Sequence, residues 1–521
     1  MRWVLSYKVV GKNKPVKKKS RVVARGCLQT NKSDTSYYFG CVRHVTTRIL
    51  FNLAAERGYI LHVTDIRTAF LTAPLEEQEQ VHLIPPPGMR EMLEAMGLPG
   101  GENCDKKDMV LLAVRSVYGL AIAPKSFGLF LQEKILEAGF TKCMNSDDCV
   151  YVRNKKNSAG IPQFAAVSTT VDDLALVFEC AEQLAEFKDH LRTRFGIKDL
   201  GEPDVYLGME VSRDKDKREI YLRHDTYIMN AFEKFKPWIV KAGLHTEKFP
   251  VMPYNKSVME MIMENHALET PEEKQQETRP YPSLMGSLLY HVILMEPHLS
   301  FVTNILCRYV QSHGRMHWKA ALHLLCYMRG RVGKPFVIGR RTARRSERDC
   351  LWAMTDAAFA DNEDRKSTSG YVVYMYSTPI TWVSKKQRAV ALSTTDAEIR
   401  ALTMCTKELA WIARILEDLG IEVDKPLDVY EDNSPTVCLA RSTKSPNATS
   451  VKYMEVRARW CLEQEKIGKI KLTHVRTDLQ AADILTKAVG RTQYEPLVEL
   501  LYNPLPKDEL KSDVDDNLKG K

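Results

Sequence analysis

A pair of acidic residues between two apolar segments constrains the fold of this chain more than any other feature. Asp172-Asp173 separates residues 163–171 from residues 174–178, and both segments have the composition of buried strands. The pattern predicts a β-hairpin that carries two carboxylates at its tip. Because aspartate is common in turns for local hydrogen-bonding reasons, the pair alone is weak support for catalysis.

The elements around this hairpin predict an α+β domain. A strand over 60–64 ends at Asp65, a helix over 127–138 precedes the hairpin, and a helix that stops at Gly196 follows it. A last strand is predicted at Val205–Val211. The resulting order of strand, helix, strand, strand, helix, strand is the split β-α-β pattern of a ferredoxin-like sheet.

The C-terminal part of the chain predicts a mixed α/β domain. Apolar residues at a 3-4-3-4-3 spacing from Leu402 to Leu419 give a long helix a buried face, and Gly420 ends that helix. A second helix begins at Ser434-Pro435, a cap followed by proline in the first turn. The predicted strands are 351–355, 371–376, 380–384, 427–431 and 470–475.

Length and composition set the domain organisation and exclude several classes of protein. A chain of 521 residues is too long for one hydrophobic core. No apolar run reaches the roughly 20 residues of a membrane-spanning helix, and the N-terminus lacks a signal peptide. We therefore expect an intracellular protein, cytoplasmic or nuclear, that is not secreted. The polar and Gly/Arg-rich stretches predict where the domains begin and end. The first domain covers 1–245, a helical block with a basic linker covers 246–349, the last domain covers 350–500, and a polar tail covers 501–521.

Positive charge is concentrated at the N-terminus. Residues 1–33 hold ten Lys and Arg residues and no acid, and since the whole chain carries +9, the other 488 residues carry −1. Such a segment is either a solvated arm or localisation signal, or a surface that binds phosphates. Charge alone leaves both interpretations open.

Three acids of the first domain are expected to meet. A hairpin with Asp172 and Asp173 at its tip, beside a strand that ends in Asp65, gathers three like charges. That repulsion favours bound cations. Two Mg²⁺ ions about 3.5–4 Å apart on such carboxylates are a known arrangement for nucleotidyl transfer.

The last domain repeats this arrangement with four acids. Two of them have a competing structural interpretation. Glu398 completes a capping box with Thr395 in one reading, and in the other it points toward the sheet at the head of the buried helix face. Asp483 is equally suited to be the N-terminal charge of a helix. The four candidates are Asp356, Glu398, Asp432 and Asp483.

These acids lie within a series of ordered motifs. By them, the chain resembles the reverse transcriptase–ribonuclease H part of a copia-type long-terminal-repeat retrotransposon polyprotein over nearly its whole length. The motifs are Ser20-Arg21-Val22-Val23-Ala24-Arg25-Gly26, His62-Val63-Thr64-Asp65-Ile66-Arg67-Thr68-Ala69-Phe70-Leu71, Tyr118-Gly119-Leu120 with Ala123-Pro124, Val171-Asp172-Asp173, Lys198-Asp199-Leu200-Gly201, Tyr206-Leu207-Gly208, Gly286-Ser287-Leu288-Leu289-Tyr290, Arg365-Lys366-Ser367-Thr368-Ser369-Gly370-Tyr371, Ser393-Thr394-Thr395-Asp396-Ala397-Glu398, Asp432-Asn433 and Ala482-Asp483-Ile484-Leu485-Thr486-Lys487.

The resemblance implies a right-hand polymerase, with fingers, thumb and a ferredoxin-like palm, followed by a ribonuclease H-like domain. The fingers are expected to lack their N-terminal part. The implied partners are an RNA template, a DNA primer, the RNA–DNA hybrid and deoxynucleoside triphosphates, without a membrane, and the oligomeric state stays open. Each active site is expected to use two Mg²⁺ or Mn²⁺ ions.

The resemblance also assigns roles to individual residues. Phe70 matches the aromatic residue that excludes a ribose 2′-hydroxyl, with a core aromatic as the alternative. Arg21 and Arg25 match the fingers positions that contact the incoming triphosphate. The polymerase metal ligands are then Asp65, Asp172 and Asp173, and those of the ribonuclease H are Asp356, Glu398, Asp432 and Asp483.

Several positions depart from the family pattern. Thr170 replaces the aromatic residue before Val-Asp-Asp, Ile122 replaces a polar residue before Ala-Pro, and Ala358 replaces a second carboxylate. Such substitutions favour an alternative function, in which the chain is a decayed or domesticated copy that binds nucleic acid without catalysis.

Overall fold

The chain forms two compact units. A computed structural model describes residues 1–8, 17–28, 39–97, 110–264, 279–339, 350–441 and 452–510. The first unit consists of Met1–Arg43 and Ile60–Glu202, and the second of His44–Tyr59 and Pro203–Lys521. The fold therefore mixes helices with several sheets, and each unit is described separately.

The first unit contains ten strands and four α-helices within its described residues. The strands are β1 Arg2–Lys8, β2 Lys17–Val23, β3 Ile60–Ile66, β4 Val81–Leu83, β5 Leu111–Ala113, β6 Thr141–Lys142, β7 Val150–Lys156, β8 Pro162–Thr170, β9 Asp173–Phe178 and β10 Ile197–Gly201. The helices are α2 Ala69–Thr72, α3 Met89–Ala95, α4 Ala123–Glu137 and α5 Ala181–Arg194, with 3-10 turns at Gly26–Leu28 and Glu77–Glu79.

The main sheet of this unit is antiparallel and has the order β10-β3-β9-β8-β7-β6. Its first four strands have the split β-α-β order that the sequence predicts. The fourth strand of the pattern is Ile197–Gly201, however, and the prediction of one strand at Val205–Val211 is wrong. That segment is divided into two short strands because Leu207 and Gly208 both adopt positive φ, at 48° and 82°.

Helices α4 and α5 pack on one face of this sheet and form its core. Phe127 and Leu131 from α4 meet Phe187 and Leu191 from α5 against the hairpin strand that carries Leu176. All five side chains are almost completely buried. The core therefore fixes the β8–β9 hairpin, and with it the carboxylates at its tip.

The N-terminal hairpin β1–β2 is held by the Tyr118-Gly119-Leu120 segment. Ala24 N donates to Tyr118 O at 2.7 Å, and Gly26 N donates to Gly119 O at 3.0 Å. Gly119 has φ +89°, and a Cβ at this position would lie 2.2 Å from Ala24 O. Only glycine permits this close approach, which explains the glycine in the motif.

The second unit contains the remaining elements. Its strands are β11 Val205–Tyr206, β12 Met209–Asp214, β13 Glu219–Arg223, β14 Phe336–Ile338, β15 Leu351–Ala358, β16 Thr368–Met375, β17 Thr378–Lys386, β18 Leu427–Glu431 and β19 Ile470–His474. Its α-helices are α1 His44–Arg57, α6 Asp225–Lys241, α7 Lys256–Met263, α8 Tyr281–Met295, α9 Ser300–Cys307, α10 Arg315–Gly330, α11 Thr394–Asp418, α12 Ser434–Arg441, α13 Lys452–Lys466, α14 Arg491–Tyr502 and α15 Lys507–Leu510. Its 3-10 turns are Pro297–Leu299, Thr477–Leu479 and Ala481–Leu485.

Five strands of this unit form one mixed sheet with the order β17-β16-β15-β18-β19. The first three strands are antiparallel, and β18 and β19 run parallel to β15. The predicted positions of all five strands and of helix α11 are confirmed. Helix α11 buries its apolar face, including Leu402, Leu409 and Leu416, and Gly420 follows it with φ +73°.

Helix α1 has no counterpart in the sequence-based prediction. Its buried residues include Arg48 and Asn52, which interrupt any apolar stripe. Arg48 donates to Ile380 O at 2.7 Å and lies over the Trp382 ring at 4.4 Å, and Asn52 donates to Met375 O. These bonds compensate for burial of the polar groups, although burial still lowers the pKa of Arg48 to about 9.

The C-terminal segment that precedes residue 511 packs within the unit. Lys507 Nζ lies 2.5 Å from a carboxylate oxygen of Asp428, and Leu510 is buried. Residues 511–521 of the expected polar tail and residues 340–349 of the expected Arg-rich linker lie outside the described residues. Within the ranges that the structure describes, no helix combines the length and apolar character needed to cross a bilayer.

A buried polar network joins the helical part of the second unit to α14. His298 Nδ1 lies 2.8 Å from Tyr502 Oη and 3.1 Å from Glu296 Oε2, and Arg331 Nε donates to the other oxygen of Glu296. Burial lowers the pKa of His298 to about 3. The histidine is therefore neutral in the folded protein at pH values where it is protonated in the unfolded chain.

We predict that this histidine makes folding sensitive to acid. Between about pH 6.5 and 3 the unfolded chain binds one more proton at His298 than the folded chain, so the unfolding free energy falls as pH falls. His298→Phe should reduce that slope by about 1.4 kcal/mol per pH unit. Urea unfolding at pH 4.5, 5.25 and 6 measures it, and His245→Gln, at an exposed position outside the network, is the control. Equal slopes for wild type and His298→Phe would contradict the prediction.

Candidate active sites

The first acidic group lies where β3 meets the β8–β9 hairpin. Asp65 lies inside β3, one residue before its end, and is the direct cross-strand partner of Asp173. Asp172 forms the turn with Val171, and its carbonyl accepts from Ile66 N at 2.9 Å. Side chains directly opposite on antiparallel strands share a face, so the register places Asp65 and Asp173 together.

The turn between these strands has an unusual backbone. Val171 has φ 55°, a region that β-branched residues rarely adopt and that glycine or asparagine normally occupies in a two-residue hairpin turn. Thr68, which follows Asp65 and precedes α2, has φ 53°. Backbone strain of this kind concentrates where a structure must hold functional groups in a set position.

Asp172 has both negatively and positively charged neighbours. Burial raises the pKa of Asp172 above its ordinary value and Asp65 raises it further, whereas Lys19 and Arg21 act to lower it. Lys19 and Arg21 belong to β2, so part of the basic N-terminal segment lies beside the carboxylates. Arg25 is exposed beyond the end of β2, and Lys12, Lys14 and Lys32 lie outside the described residues.

Tyr118 connects the remaining candidate residues, and sequence reasoning did not single it out. The guanidinium of Arg21 lies 5.7 Å from the centre of the Tyr118 ring, and Phe70 meets the same ring edge-on at 5.2 Å. Burial raises the Tyr118 pKa, and Asp172 raises it further. The sequence feature that could have identified Tyr118 is its place in the motif with Gly119. Phe70 is half-buried and also contacts the core residue Phe127, as expected for a core aromatic at this corner.

The second acidic group is more tightly gathered. Asp356 lies within β15 and is 1% exposed, Asp432 directly follows β18, and Asp483 lies in the 3-10 turn Ala481–Leu485. One carboxylate oxygen from each lies within 4.8 Å of the others. Among the described residues, Asp65, Asp172 and Asp173 do not form a group at this distance. The geometry for a shared cation is therefore clearest here.

Glu398 faces the same group from α11. The capping-box interpretation is wrong, because the cap is Ser393, whose side chain accepts from Asp396 N at 3.1 Å. Glu398 is buried, accepts a bond from the Ala357 backbone, and leaves Oε2 without a hydrogen-bond partner. Burial, with further contributions from Asp356 and Asp432, raises the Glu398 pKa to about 10.

Glu431, which precedes Asp432, was not predicted from the sequence. It is completely buried, its Oε1 accepts from Asn433 N at 3.1 Å, and its Oε2 has no hydrogen-bond partner. Burial and then Glu398 raise its pKa well above the usual range. Glu431 is the last residue of β18, and the prediction considered only Asp432, the acid that follows the strand.

One lysine partly neutralises this cluster. Lys487 Nζ lies 3.1 Å from Asp483 Oδ1 and 3.4 Å from Asp356 Oδ1. Burial raises the pKa of Asp483 to about 7, with Asp356 adding to the rise and Lys487 opposing it. Asp483 therefore acts as more than the N-terminal charge of a short helix.

These residues fit bound divalent cations. Three aspartates converge within 4.8 Å, and Glu398 and Glu431 each present a buried oxygen without a partner. Several carboxylates cannot ionise together at such distances unless positive charge accompanies them. Hard cations such as Mg²⁺ and Mn²⁺ prefer this all-oxygen donor set.

Another acidic group is explained without a ligand. Asp147, Asp148 and Cys149 also offer ligand atoms within 4.8 Å. The carboxylate of Asp147, however, accepts from Arg43 N at 3.1 Å and from Cys149 N at 3.2 Å. It stabilises the loop before β7 as a local turn.

Gly370 allows the 3-10 turn with Asp483 to approach the sheet. Gly370 is the cross-strand partner of Asp356. A Cβ on Gly370 would lie 2.6 Å from Thr486 Cγ2 and 2.9 Å from Leu485 Cβ. The absence of a side chain therefore brings Asp483 and Lys487 to Asp356.

We predict that Gly370→Ala destabilises this arrangement. The added methyl group overpacks the contact with Leu485 and Thr486, which should cost about 1–3 kcal/mol of unfolding free energy in urea. It should also remove any rise of the melting temperature on addition of Mg²⁺. Gly286→Ala is the matched control, because nothing lies within 4 Å of its Cβ position in α8. A Gly370→Ala protein with wild-type stability and Mg²⁺ response would contradict the prediction.

Comparison with known proteins shows similarity to reverse transcriptases and to transposon Pol polyproteins. Residues 1–242 match the family of reverse transcriptases, described as RNA-dependent DNA polymerases. The chain is 30% identical over 503 residues to the retrovirus-related Pol polyprotein from transposon TNT 1-94 of Nicotiana tabacum, which covers 96% of the chain and 35% of that relative. It is 26% identical over 496 residues to the Pol polyproteins from transposons RE2 and RE1 of Arabidopsis thaliana, covering 95% of the chain and 31% of each.

The match to the reverse transcriptase family covers residues 1–242, which is a little less than half of the chain. Over nearly its whole length the chain is similar to retrovirus-related Pol polyproteins of plant transposons. It spans about a third of the length of these curated relatives.

Proposed function

We propose that this chain is an RNA-directed DNA polymerase with ribonuclease H activity that copies retrotransposon RNA into DNA. The observation that carries the proposal is the presence of two acidic groups on two sheets, one in each compact unit. One activity of this kind extends a primer, and the other hydrolyses the RNA of the hybrid. The substrates are then an RNA template, a DNA primer and deoxynucleoside triphosphates.

In the proposed polymerase, Asp65, Asp172 and Asp173 hold two Mg²⁺ or Mn²⁺ ions. Bound divalent cations supply neutralisation of phosphate charge and a lower pKa for the attacking hydroxyl or water. Arg21, with Lys19 beside it, binds the triphosphate, since both cations act on Asp172. Arg25 remains a proposed triphosphate contact from its motif.

Phe70 is proposed to exclude the ribose 2′-hydroxyl. Its ring is held edge-on between Tyr118 and Phe127, which restricts its movement. A rigid ring at the sugar position selects deoxynucleotides by steric exclusion of one oxygen. The same contacts make Phe70 part of the core, so the two roles are compatible.

In the proposed ribonuclease H, Asp356, Glu398, Asp432 and Asp483 hold the ions. Glu431 supports the cluster from inside β18 and contributes a buried oxygen without a partner. Without cations, burial and the neighbouring carboxylates raise the pKa values of both Glu398 and Glu431, which favours their protonated forms. Binding of a cation is therefore linked to release of protons.

The proposed domains follow the sequence bounds. We propose 1–245 as fingers and a ferredoxin-like palm, 246–349 as a thumb or connection with a basic linker, and 350–500 as the ribonuclease H-like domain. Of the expected tail 501–521, the residues up to 510 pack within the second unit. The palm assignment is supported by the strand order of the first unit's main sheet, and the ribonuclease H assignment by the order of the mixed sheet.

The substitutions at Ile122 and Thr170 occupy different surroundings. Ile122 is buried against Leu120 and Ala123, where an apolar side chain is accommodated by the core. Thr170 ends β8 opposite Asp173, and its hydroxyl is buried without a hydrogen-bond partner. We infer that Thr170 is the substitution with the larger consequence for the polymerase site.

The polymerase proposal predicts the effect of Asp172→Asn on primer extension. This change removes one charge beside Asp65 and should lower extension on an RNA template with Mg²⁺ by roughly 100-fold or more, as for removal of a charge-stabilising group. Wild-type protein is measured in parallel. If the purified wild-type chain extends no primer with either Mg²⁺ or Mn²⁺, the polymerase proposal fails and the alternative of a non-catalytic copy holds.

The ribonuclease proposal predicts a separate loss. Asp432→Asn should lower cleavage of a labelled RNA–DNA hybrid by roughly 100-fold for the same reason, while primer extension stays close to wild type. Asp172→Asn should show the reverse pattern and serves as the matched control. Unchanged cleavage by Asp432→Asn would refute the assignment of the second acidic group.

A further inference from the structure

Cations are arranged along one outer side of α11, away from its apolar face. Arg400, Lys407 and Arg414 recur at seven-residue intervals, which is two helical turns or about 10.5 Å each. A spacing of seven residues returns to nearly the same side of an α-helix. The three side chains therefore form a basic stripe, while residues such as Leu402 and Leu409 face the sheet.

The first half of the stripe lines a groove of about 320 Å³. The cations of this groove are Lys385, Lys386, Arg388, Arg400 and Lys407, and no acidic residue is among its described lining residues. Two of the cations are already ion-paired: Arg400 with Asp396 at 2.7 Å, and Lys386 with Asp364 at 2.8 Å. The groove therefore keeps a strong positive excess.

The second half of the stripe lines a larger groove of about 650 Å³. Lys407 belongs to both grooves and is followed here by Arg414, Lys425 and Lys469. The acidic residue of the lining, Glu417, lies 2.5 Å from Lys425 and is neutralised by it. Within the described part of the chain, no carboxylate lies at ion-pair distance from Lys407, Arg414 or Lys469.

An aromatic ring lies in this second groove. Trp460 of α13 is half-buried, and Lys407 Nζ lies 5.7 Å from its ring centre. A partly exposed indole among unpaired cations combines a surface for stacking with charges for phosphate. Proteins that bind single-stranded nucleic acid without sequence preference use this combination.

We propose that the two grooves form one track along α11 that binds a single-stranded polynucleotide. Its phosphates pair with Lys407, Arg414 and Lys469, and a base stacks on Trp460. The track contains none of the seven carboxylates, so it goes beyond the proposed catalytic function. An acidic protein segment would use the same cations but would gain nothing from the indole, which is why the observations favour a polynucleotide.

Binding in the absence of catalysis tests the track. Fluorescence anisotropy of a labelled 12-nucleotide single strand, as DNA and as RNA, is measured with the full chain in EDTA. Arg414→Glu should weaken binding about tenfold, and Arg414→Ala should lower the slope of log affinity against log salt by about 0.7. Lys466→Glu, an exposed lysine on α13 outside both grooves, should change affinity by less than about 1.5-fold.

The aromatic part of the proposal has its own variants. Trp460→Ala should weaken binding about tenfold, and Trp460→Phe should restore most of it because a ring remains for stacking. A strand containing 5-iodouracil should cross-link to the peptide with Trp460 on irradiation. Far-ultraviolet circular dichroism and melting temperatures check that each variant is folded.

Three outcomes overturn the proposal. Unchanged affinity in both Arg414→Glu and Trp460→Ala, or absence of the Trp460 cross-link, shows that the strand binds elsewhere. Poly-glutamate, added at the same concentration of charges, could also displace the strand. If it does, and if Arg414→Glu weakens the binding of poly-glutamate and of the strand equally, the surface binds polyanions in general. Failure of the catalytic proposal can be told apart from failure of the track proposal. Asp172→Asn and Asp432→Asn should still bind the single strand in EDTA.

Discussion

Repulsion among buried carboxylates is the constraint on which the second unit depends. Asp356 is almost completely buried in β15, and Asp432, Asp483 and Glu398 converge on it from three other elements. In an interior of low dielectric constant this arrangement is unfavourable unless protons, a lysine or cations offset it. Burial and neighbouring acids raise the pKa values of Glu398 and Asp483, which favours their protonated forms, and Lys487 places an ammonium group 3.1 Å from Asp483.

The backbone is adapted to bring these charges together. Gly370 leaves room for the turn that carries Asp483, and Gly119 lets the end of β2 approach the Tyr118 segment. Val171 accepts a left-handed backbone at the tip of the acidic hairpin. In each case a local conformation that is costly or restricted elsewhere positions a charged group.

Much of the fold followed from apolar periodicity. The stripe from Leu402 to Leu419 predicted α11, and alternating or continuous apolar runs predicted all five strands of the mixed sheet, because burial against a sheet leaves a strong pattern. Helix α1 left no such pattern, since Arg48 and Asn52 are buried through bonds to distant carbonyl groups. The single strand expected at 205–211 failed because the backbone reverses at Leu207, which is not a typical turn residue.

Of the site residues, the sequence predicted those that lie at strand ends or on the buried face of a helix. Positions after strands pointed to Asp432 and to the hairpin acids, and helix periodicity pointed Glu398 toward the sheet. Glu431 and Tyr118 were missed, because their roles depend on neighbours that are distant in the chain: Glu398 for the former, Arg21 and Phe70 for the latter. The roles of Glu431 and Tyr118 therefore depend on contacts in the folded structure that no local sequence pattern indicates.

The most direct test of the proposal that both acidic groups hold cations is a titration with Mn²⁺. The electron paramagnetic resonance signal of the free ion measures how much Mn²⁺ is bound. Wild-type protein should bind Mn²⁺ at both groups, and Asp172→Asn and Asp432→Asn should each lose only the ions of their own group. The double variant should lose both sets. Retention of wild-type Mn²⁺ binding by the double variant would contradict the central claim that these carboxylates are gathered to hold metal ions.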